Sequence, residues 1–340
     1  MTAAIETTAA EWAARHSGAD REIYRRTLLE LARADRRIFC LDSDMGGLET
    51  AFQVELPQQY VDLGIAEANM VTIAAALARA GKIPFVNTMA AFASQRAYEQ
   101  IKIDVAYNNV PVRIVATHAG LAAAHLGPTH HAQQDLAAMR ALPNMLVLTP
   151  ADAAETVKMI AAATYRPEPV YIRLGRRPTA LVYHADYAFT IGRAVELRPG
   201  DDITIVAAGA YPVLDALAAH EQLAAQGIGA RVLNMHTIKP LDLAAIVAAA
   251  EQTGGIVTVE DHSVIGGLGG AVAEALAEHA PAPLRRVGIV DAFCDQAGEH
   301  RELLEMNGVS AAQVVRMAHE LIALRAQMRA NHRINQNHQR

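Results

Sequence analysis

Short apolar runs rich in β-branched residues alternate along the chain with longer Ala-rich amphipathic stretches. Each pair takes roughly 30 residues, the length of a βα unit, and the rhythm predicts mainly parallel sheets. Ile38–Asp42, Tyr60–Leu63, Pro84–Asn87, Val112–Thr117, Leu146–Thr149 and Val170–Leu174 read as strands, with helices over Arg21–Ala34, Glu67–Ala80, Ser94–Tyr107 and Ala153–Ala163. A second series begins after Gly192, with strands Ile203–Ala207, Ala230–Met235, Ile256–Glu260 and Val287–Val290, and helices Pro212–Gln226, Leu243–Glu251 and Gly270–His279. The fold class is therefore α/β, two domains, each a mainly parallel sheet flanked by helices. Tyr183, His184, Asp186 and Tyr187 interrupt the pattern, which puts the boundary there, with domains at 19–188 and 189–325. An N-terminal extension, 1–18, precedes them, and a polar His/Arg/Asn-rich tail, 326–340, is expected to be disordered.

Length and composition agree with that division. At 340 residues and 52% hydrophobic, each half is long enough to bury its own core. A net charge of −6 gives no general attraction to phosphate backbones, so nucleic acid is not an expected partner. The two cysteines, Cys40 and Cys294, lie far apart, which excludes a disulfide framework and a thiolate-rich zinc site. The first residues carry acidic side chains and no unbroken apolar core, and no apolar run reaches the roughly 20 residues of a membrane span. A cytoplasmic protein without a membrane role is expected.

Several cofactor motifs lack their carriers. Gly266-Gly267-Leu268-Gly269-Gly270 follows a predicted strand, but counting from Gly267 the last glycine of a dinucleotide fingerprint is replaced by Val272. Gly81-Lys82 has no upstream phosphate-loop glycine, and none of the serines sits in a nucleophile elbow. What remains is His118, His125, His130 and His131, beginning at the carboxyl end of a strand where an open sheet binds its ligands. They read as a polar loop, as part of a zinc site, or as groups that bond substrate and move protons. Glu67 opens a helix among Ile65, Ala66, Ala68 and Met70. It is either a helix-start charge or a carboxyl desolvated in an apolar pocket, able to share a proton with a ligand nitrogen.

A run of spaced motifs resembles the transketolase family. Leu63-Gly64-Ile65-Ala66-Glu67-Ala68-Asn69-Met70, Asn87-Thr88-Met89-Ala90-Ala91-Phe92, Gln95-Arg96-Ala97-Tyr98-Glu99-Gln100, Ala116-Thr117-His118, Gly127-Pro128-Thr129-His130 and Leu142-Pro143-Asn144-Met145 resemble its pyrimidine-binding domain. Lys239-Pro240-Leu241-Asp242 and Val259 to Gly269 resemble its C-terminal domain. The resemblance implies that Glu67 bonds the pyrimidine nitrogen of thiamine diphosphate and favours the tautomer that activates the thiazolium carbon. It further implies that Phe92 packs on the aminopyrimidine, that Asp44 lies near the cofactor, and that His118 and His130 contact substrate and shuttle protons. Arg176 corresponds to a sugar-phosphate clamp, suited to phosphate or sulfonate.

The family's Gly-Asp-Gly motif and downstream Asn, which hold the diphosphate through a divalent metal, have no counterpart; Gly200-Asp201 is followed by Asp202. The chain therefore resembles the C-terminal subunit of a split transketolase. An N-terminal partner subunit is expected to hold the diphosphate with Mg2+ or Ca2+, in a heterotetramer of two plus two, and faces buried in a full-length enzyme should be apolar and sticky here. Leu126 stands where the family commonly has an acid that reads a substrate hydroxyl, and Leu48 replaces a phosphate-site serine. Met89 and Gln95 occupy cofactor-side places that are often aromatic, and the run from Gln95 is closer to deoxyxylulose-phosphate synthase. These departures point to a specialised ketol or acyl transfer between a sugar-like donor and an aldehyde acceptor. The alternatives are the beta subunit of a 2-oxoacid dehydrogenase, a deoxyxylulose-phosphate-synthase-like enzyme, and a non-catalytic partner subunit.

Overall fold

Strand β3 (Ile83–Met89) is buried along all but its last residue, as a parallel strand covered on both faces must be. The computed structural model describes residues 18–45, 49–184 and 186–338. β3 lies inside a seven-stranded sheet with β1 (Ile38–Asp42), β2 (Tyr60–Asp62), β4 (Arg113–Thr117), β5 (Leu146–Leu148), β6 (Val170–Arg173) and β10 (Thr237–Lys239), in the order β10-β5-β6-β4-β3-β1-β2. All neighbours are parallel except β10, which runs antiparallel to β5. On one face Tyr24 and Leu28 of α1 (Asp20–Ala34) share a core with Met159 and Ile160 of α6 (Ala153–Thr164). The other face is covered by α3 (Glu67–Arg79), through Met70 and Ala74. Between α1 and α3 lies the short α2 (Glu49–Glu55).

The second sheet has the order β12-β11-β8-β9-β7, formed by β7 (Val195–Arg198), β8 (Ile203–Ala208), β9 (Ala230–Asn234), β11 (Ile256–Ser263) and β12 (Leu284–Ile289). Here β7 is the antiparallel edge. Helices α7 (Ala210–Ala224) and α11 (Ala311–His338) bury Val213, Leu223, Val314 and Leu321 against one face. Ile246 of α8 (Leu243–Thr253) and Val272 of α9 (Leu268–His279) instead join the core that contains Met70 and Ile101, so apolar packing runs unbroken from one domain to the other.

Several elements differ from the pattern read in the sequence. The helix predicted over Ser94–Tyr107 is π-helical at Phe92–Arg96 and Ile101–Tyr107, around a single turn α4 (Tyr98–Gln100). Strand β10 belongs to the second half by sequence but completes the first sheet, so the domains share a sheet edge across the 188/189 division. Short helices α5 (Asp135–Ala141) and α10 (His300–Met306) fill loops. The tail from 326, expected to be disordered, continues α11 to His338; it contains neither Gly nor Pro to stop the helix. The extension, apart from Gly18, lies outside the described residues.

The boundary segment is a strap pinned to α6. Asp152 caps that helix by accepting from Glu155 N at 2.7 Å, and its other oxygen accepts from Val182 N and Tyr183 N at 2.6 and 2.9 Å. Glu155 accepts from Tyr187 Oη at 2.7 Å and from Asn234 of β9 at 3.0 Å. The Tyr183 and Tyr187 rings stack at 3.7 Å.

Candidate active site at the sheet mouth

Glu67 is in the first turn of α3, at the carboxyl-end side of the first sheet. It is 2% exposed, yet it does not sit alone in the apolar pocket that its neighbours suggested. Arg96 Nη1 donates to both carboxylate oxygens at 3.0 Å. The Arg96 guanidinium lies 4.3 Å from the centroid of the Phe92 ring, and that ring meets His130 edge-on at 5.3 Å. The acid, the aromatic and the histidine, widely spaced in sequence, are thus linked through an arginine that sequence reasoning left in the background.

Beside them opens a cavity of about 470 Å³, lined among others by Phe92, Gln95, Arg96, Thr129, His131 and Gln133 from the first domain and Phe293 and Cys294 from the second. Gln133 is buried with its Nε2 unpaired. His131 is buried too, and neither ring nitrogen has a hydrogen bond; backbone groups at Cys294 and Ala124 lie near without completing one. Burial pushes its pKa down. Unpaired donors and acceptors in a buried wall are costly unless a ligand or water meets them. An accessible aromatic and unpaired polar groups around a cavity of this size, with a buried carboxylate behind Arg96, fit the aminopyrimidine end of thiamine diphosphate.

The four histidines do not act as one cluster. His118 follows β4 at φ +58°, is 2% exposed, and bonds Thr117 Oγ1 through Nδ1 at 2.8 Å. Burial first, then the positive charges of Arg176, Arg21 and Arg25, push its pKa down to about 3, so it works as a neutral imidazole. His125 is exposed and paired with Glu299 at 2.7 Å. Among the described residues no group of three or more His, Cys, Asp or Glu side chains is placed to hold a metal ion.

Arg176 lines a narrow interdomain cleft with Asp20, Arg173, Arg177, Tyr211, Asp261 and His300. Arg21 and Arg25 on α1 join it around His118, and their mutual repulsion, after burial, pushes the Arg21 pKa down. These two arginines were not singled out in the sequence; their i, i+4 spacing was the available signal, and it also suits a solvated helix face. Met89 is half-buried at the end of β3, and Gln95 is exposed, donating to Gln134 Oε1 at 3.3 Å. Leu126 is 40% exposed in the turn Ala124–Leu126. Asp44 is exposed at φ +58° after β1, and Leu48 lies outside the described residues.

The glycine-rich run rejected as a dinucleotide site has another occupant. Glu260 accepts from Leu268 N at 2.7 Å and Gly269 N at 2.8 Å, putting a carboxylate on the α9 N-terminus where a nucleotide phosphate would sit. A Cβ on Gly267 would fall 2.0 Å from that carboxylate. Asp261 accepts from Leu121 N at 3.0 Å and pairs with His300 at 2.8 Å, tying the strand end to both domains.

Descriptions of the transketolase pyrimidine binding domain and the transketolase C-terminal domain match residues 18–180 and 192–314. The chain is 44% identical to the 6-deoxy-6-sulfo-D-fructose transketolase subunit SqwH of Clostridium sp. (strain MSTE9), over 88% of this chain and 94% of that protein. It is 42% identical to an apulose-4-phosphate transketolase subunit of Phocaeicola vulgatus, over 89% and 97%. A solved split gene transketolase, an inactive beta4 tetramer, superposes with a TM-score of 0.82 at 43% identity, over 90% of this chain and 98% of that one.

Proposed function

The chain belongs to the transketolase family, and we propose that it is the split-transketolase subunit that supplies the aminopyrimidine side of a thiamine diphosphate site. The observation that carries this reading is the buried Glu67 in the first turn of α3, joined through Arg96 to Phe92 at the wall of the cavity. When bound, thiamine diphosphate supplies a nucleophilic carbon and electron sink for moving a two-carbon ketol or acyl unit from a sugar-like donor to an aldehyde acceptor.

This chain's residues bind and orient. Glu67 shares a proton with the pyrimidine nitrogen, and Phe92 packs on the ring, with Met89, Gln95 and Asp44 on the cofactor side. His118, held neutral by burial and three arginines, hydrogen-bonds substrate without carrying charge. His130, edge-on to Phe92, contacts the substrate and moves protons. Arg176, with Arg21 and Arg25, takes an anionic substrate end. The two relatives' names, a sulfo-sugar and a sugar phosphate, are both such substrates, and Leu126 makes this site less demanding of a hydroxyl than an acid would.

The diphosphate and its Mg2+ or Ca2+ are assigned to an N-terminal partner subunit, in a heterotetramer of two plus two. Ile65 (73% exposed), Ile103 (46%) and Tyr107 (82%) lie on the turn before α3 and the adjoining π-helix, an apolar surface suited to that partner. The test is reconstitution with the partner, thiamine diphosphate and a divalent cation, and assay of ketol transfer from sulfonated or phosphorylated ketoses. Glu67→Ala is expected to lower turnover by about three orders of magnitude with assembly intact. Unchanged turnover would make this a scaffold, and release of CO2 from pyruvate by the wild-type pair would favour the 2-oxoacid dehydrogenase reading.

A further inference from the structure

Arg96 makes two contacts that a bound planar cation would be expected to make. Its Nη1 donates to both oxygens of Glu67 at 3.0 Å, and its guanidinium stands 4.3 Å from the Phe92 centroid. Phe92 and Arg96 are four residues apart in one π-helical turn, which puts both side chains on the same side of the backbone. A guanidinium is flat, positively charged and rich in donors, so one group satisfies a buried carboxylate and covers an aromatic face together. The pair is lopsided: the Glu67 side chain is 2% exposed and that of Arg96 47%. Arg96 lines the cavity and Glu67 does not. The arginine therefore stands between the acid and the space from which a ligand would approach.

We propose that Arg96 is a built-in surrogate for the aminopyrimidine, seated on Glu67 and Phe92 in the place the ring takes, and that it must swing toward the cavity for the ring to enter. The inference rests on the thiamine diphosphate reading above and adds a residue that controls how readily the cofactor is taken up. The guanidinium, which spans both oxygens of Glu67 and covers the open face of Phe92, and the pyrimidine cannot occupy that one position together. Every ring that enters therefore breaks the Arg96–Glu67 pair, and the partly exposed guanidinium is the member free to move, because solvent can replace its lost bonds. The arginine also prevents a buried carboxylate from standing without a partner, which explains why such a competitor is retained.

The experiment uses the full chain reconstituted with its N-terminal partner in excess Mg2+. Thiamine diphosphate and inorganic pyrophosphate, a probe carrying only the anionic end, are each titrated by calorimetry into wild-type, Arg96→Leu and Arg96→Lys complexes. Thiamine diphosphate is expected to bind Arg96→Leu about fivefold more tightly than wild type, with Arg96→Lys between them. Pyrophosphate affinity should change less than twofold, which a general loss of structure would not produce. Thiamine diphosphate binding that is unchanged or weaker in an Arg96→Leu complex that still takes pyrophosphate overturns the proposal. Failure of the wild-type complex to bind thiamine diphosphate at all sinks instead the cofactor reading beneath it. Should Arg96→Leu not assemble, a crystal structure of the wild-type complex with thiamine diphosphate decides: Arg96 keeping both 3.0 Å contacts to Glu67 with the ring bound is the contrary result.

Discussion

Gly120 turns the chain just after His118 at φ +60°, and a Cβ there would fall 2.2 Å from the carboxylate of Asp261. Any side chain would strain the backbone and push Asp261 off its bonds to Leu121 N and His300. Gly120→Ala is therefore expected to cost about 3 kcal/mol of stability, read by denaturant unfolding at pH 7, from strain plus lost buried hydrogen bonds. A loss under about 0.5 kcal/mol, the range of a neutral surface change, would mean the strand end relaxes freely. At this scale the sequence was readable where chemistry restricts the residue type. Glu67 stood out for that reason and Phe92 only through the family resemblance, whereas Arg96 did not, since arginine in a helix usually reads as a solvated face. The histidines misled as a group: nearness in sequence brought four of them together, but the turns after β4 send His118 and His131 inward and leave His125 in solvent.

Elements followed the hydrophobic pattern wherever burial on two faces left a long apolar run, as in β1, which spans Ile38–Asp42 in both sequence and structure. They escaped where the run was too short or the geometry unusual. β10 has three residues and gains its place only by pairing with β5 across the domain boundary. The π-helical stretches keep an amphipathic spacing close to that of an α-helix, so periodicity alone does not reveal them. The strap was visible as a break in the pattern but not as a fixed structure, because its anchors are the side chains of Asp152 and Glu155 at the start of α6. Asp152→Ala removes an N-cap and two strap hydrogen bonds together. It is expected to lower stability by about 2–3 kcal/mol and to open the strap to limited proteolysis while the sheets stay protected. Cleavage no faster than in wild type would show that the stacked tyrosines hold the strap without Asp152.

Across the whole molecule, buried titratable groups pull stability in opposite directions with pH. His118 and His236 are pushed by burial down to about 3 and 4, so the folded state binds fewer protons than the unfolded one below their ordinary 6.5. Their contribution is complete above pH 6.5 and is lost as pH falls toward those values. Asp20, Glu155 and Glu260 are pushed by burial up to about 7, so the folded state binds more protons. Their contribution is complete below their ordinary values near 4 and is lost as pH rises through 7. Between pH 4.5 and 6.5 the two slopes oppose each other. Glu155 is the most informative of these groups because it joins α6, the strap through Tyr187 and β9 through Asn234. Glu155→Gln keeps the shape and removes the titration, at a pH-independent loss from imperfectly matched donors. Relative to wild type, the variant should therefore fare better at pH 8 than at pH 5, by about 2 kcal/mol for a group titrating near 7 when folded and near 4.5 when unfolded. Denaturant unfolding of both proteins at the two pH values measures that difference, and a difference near zero would mean that Glu155 titrates alike in the folded and unfolded chain and that burial at the domain seam leaves its proton affinity unchanged.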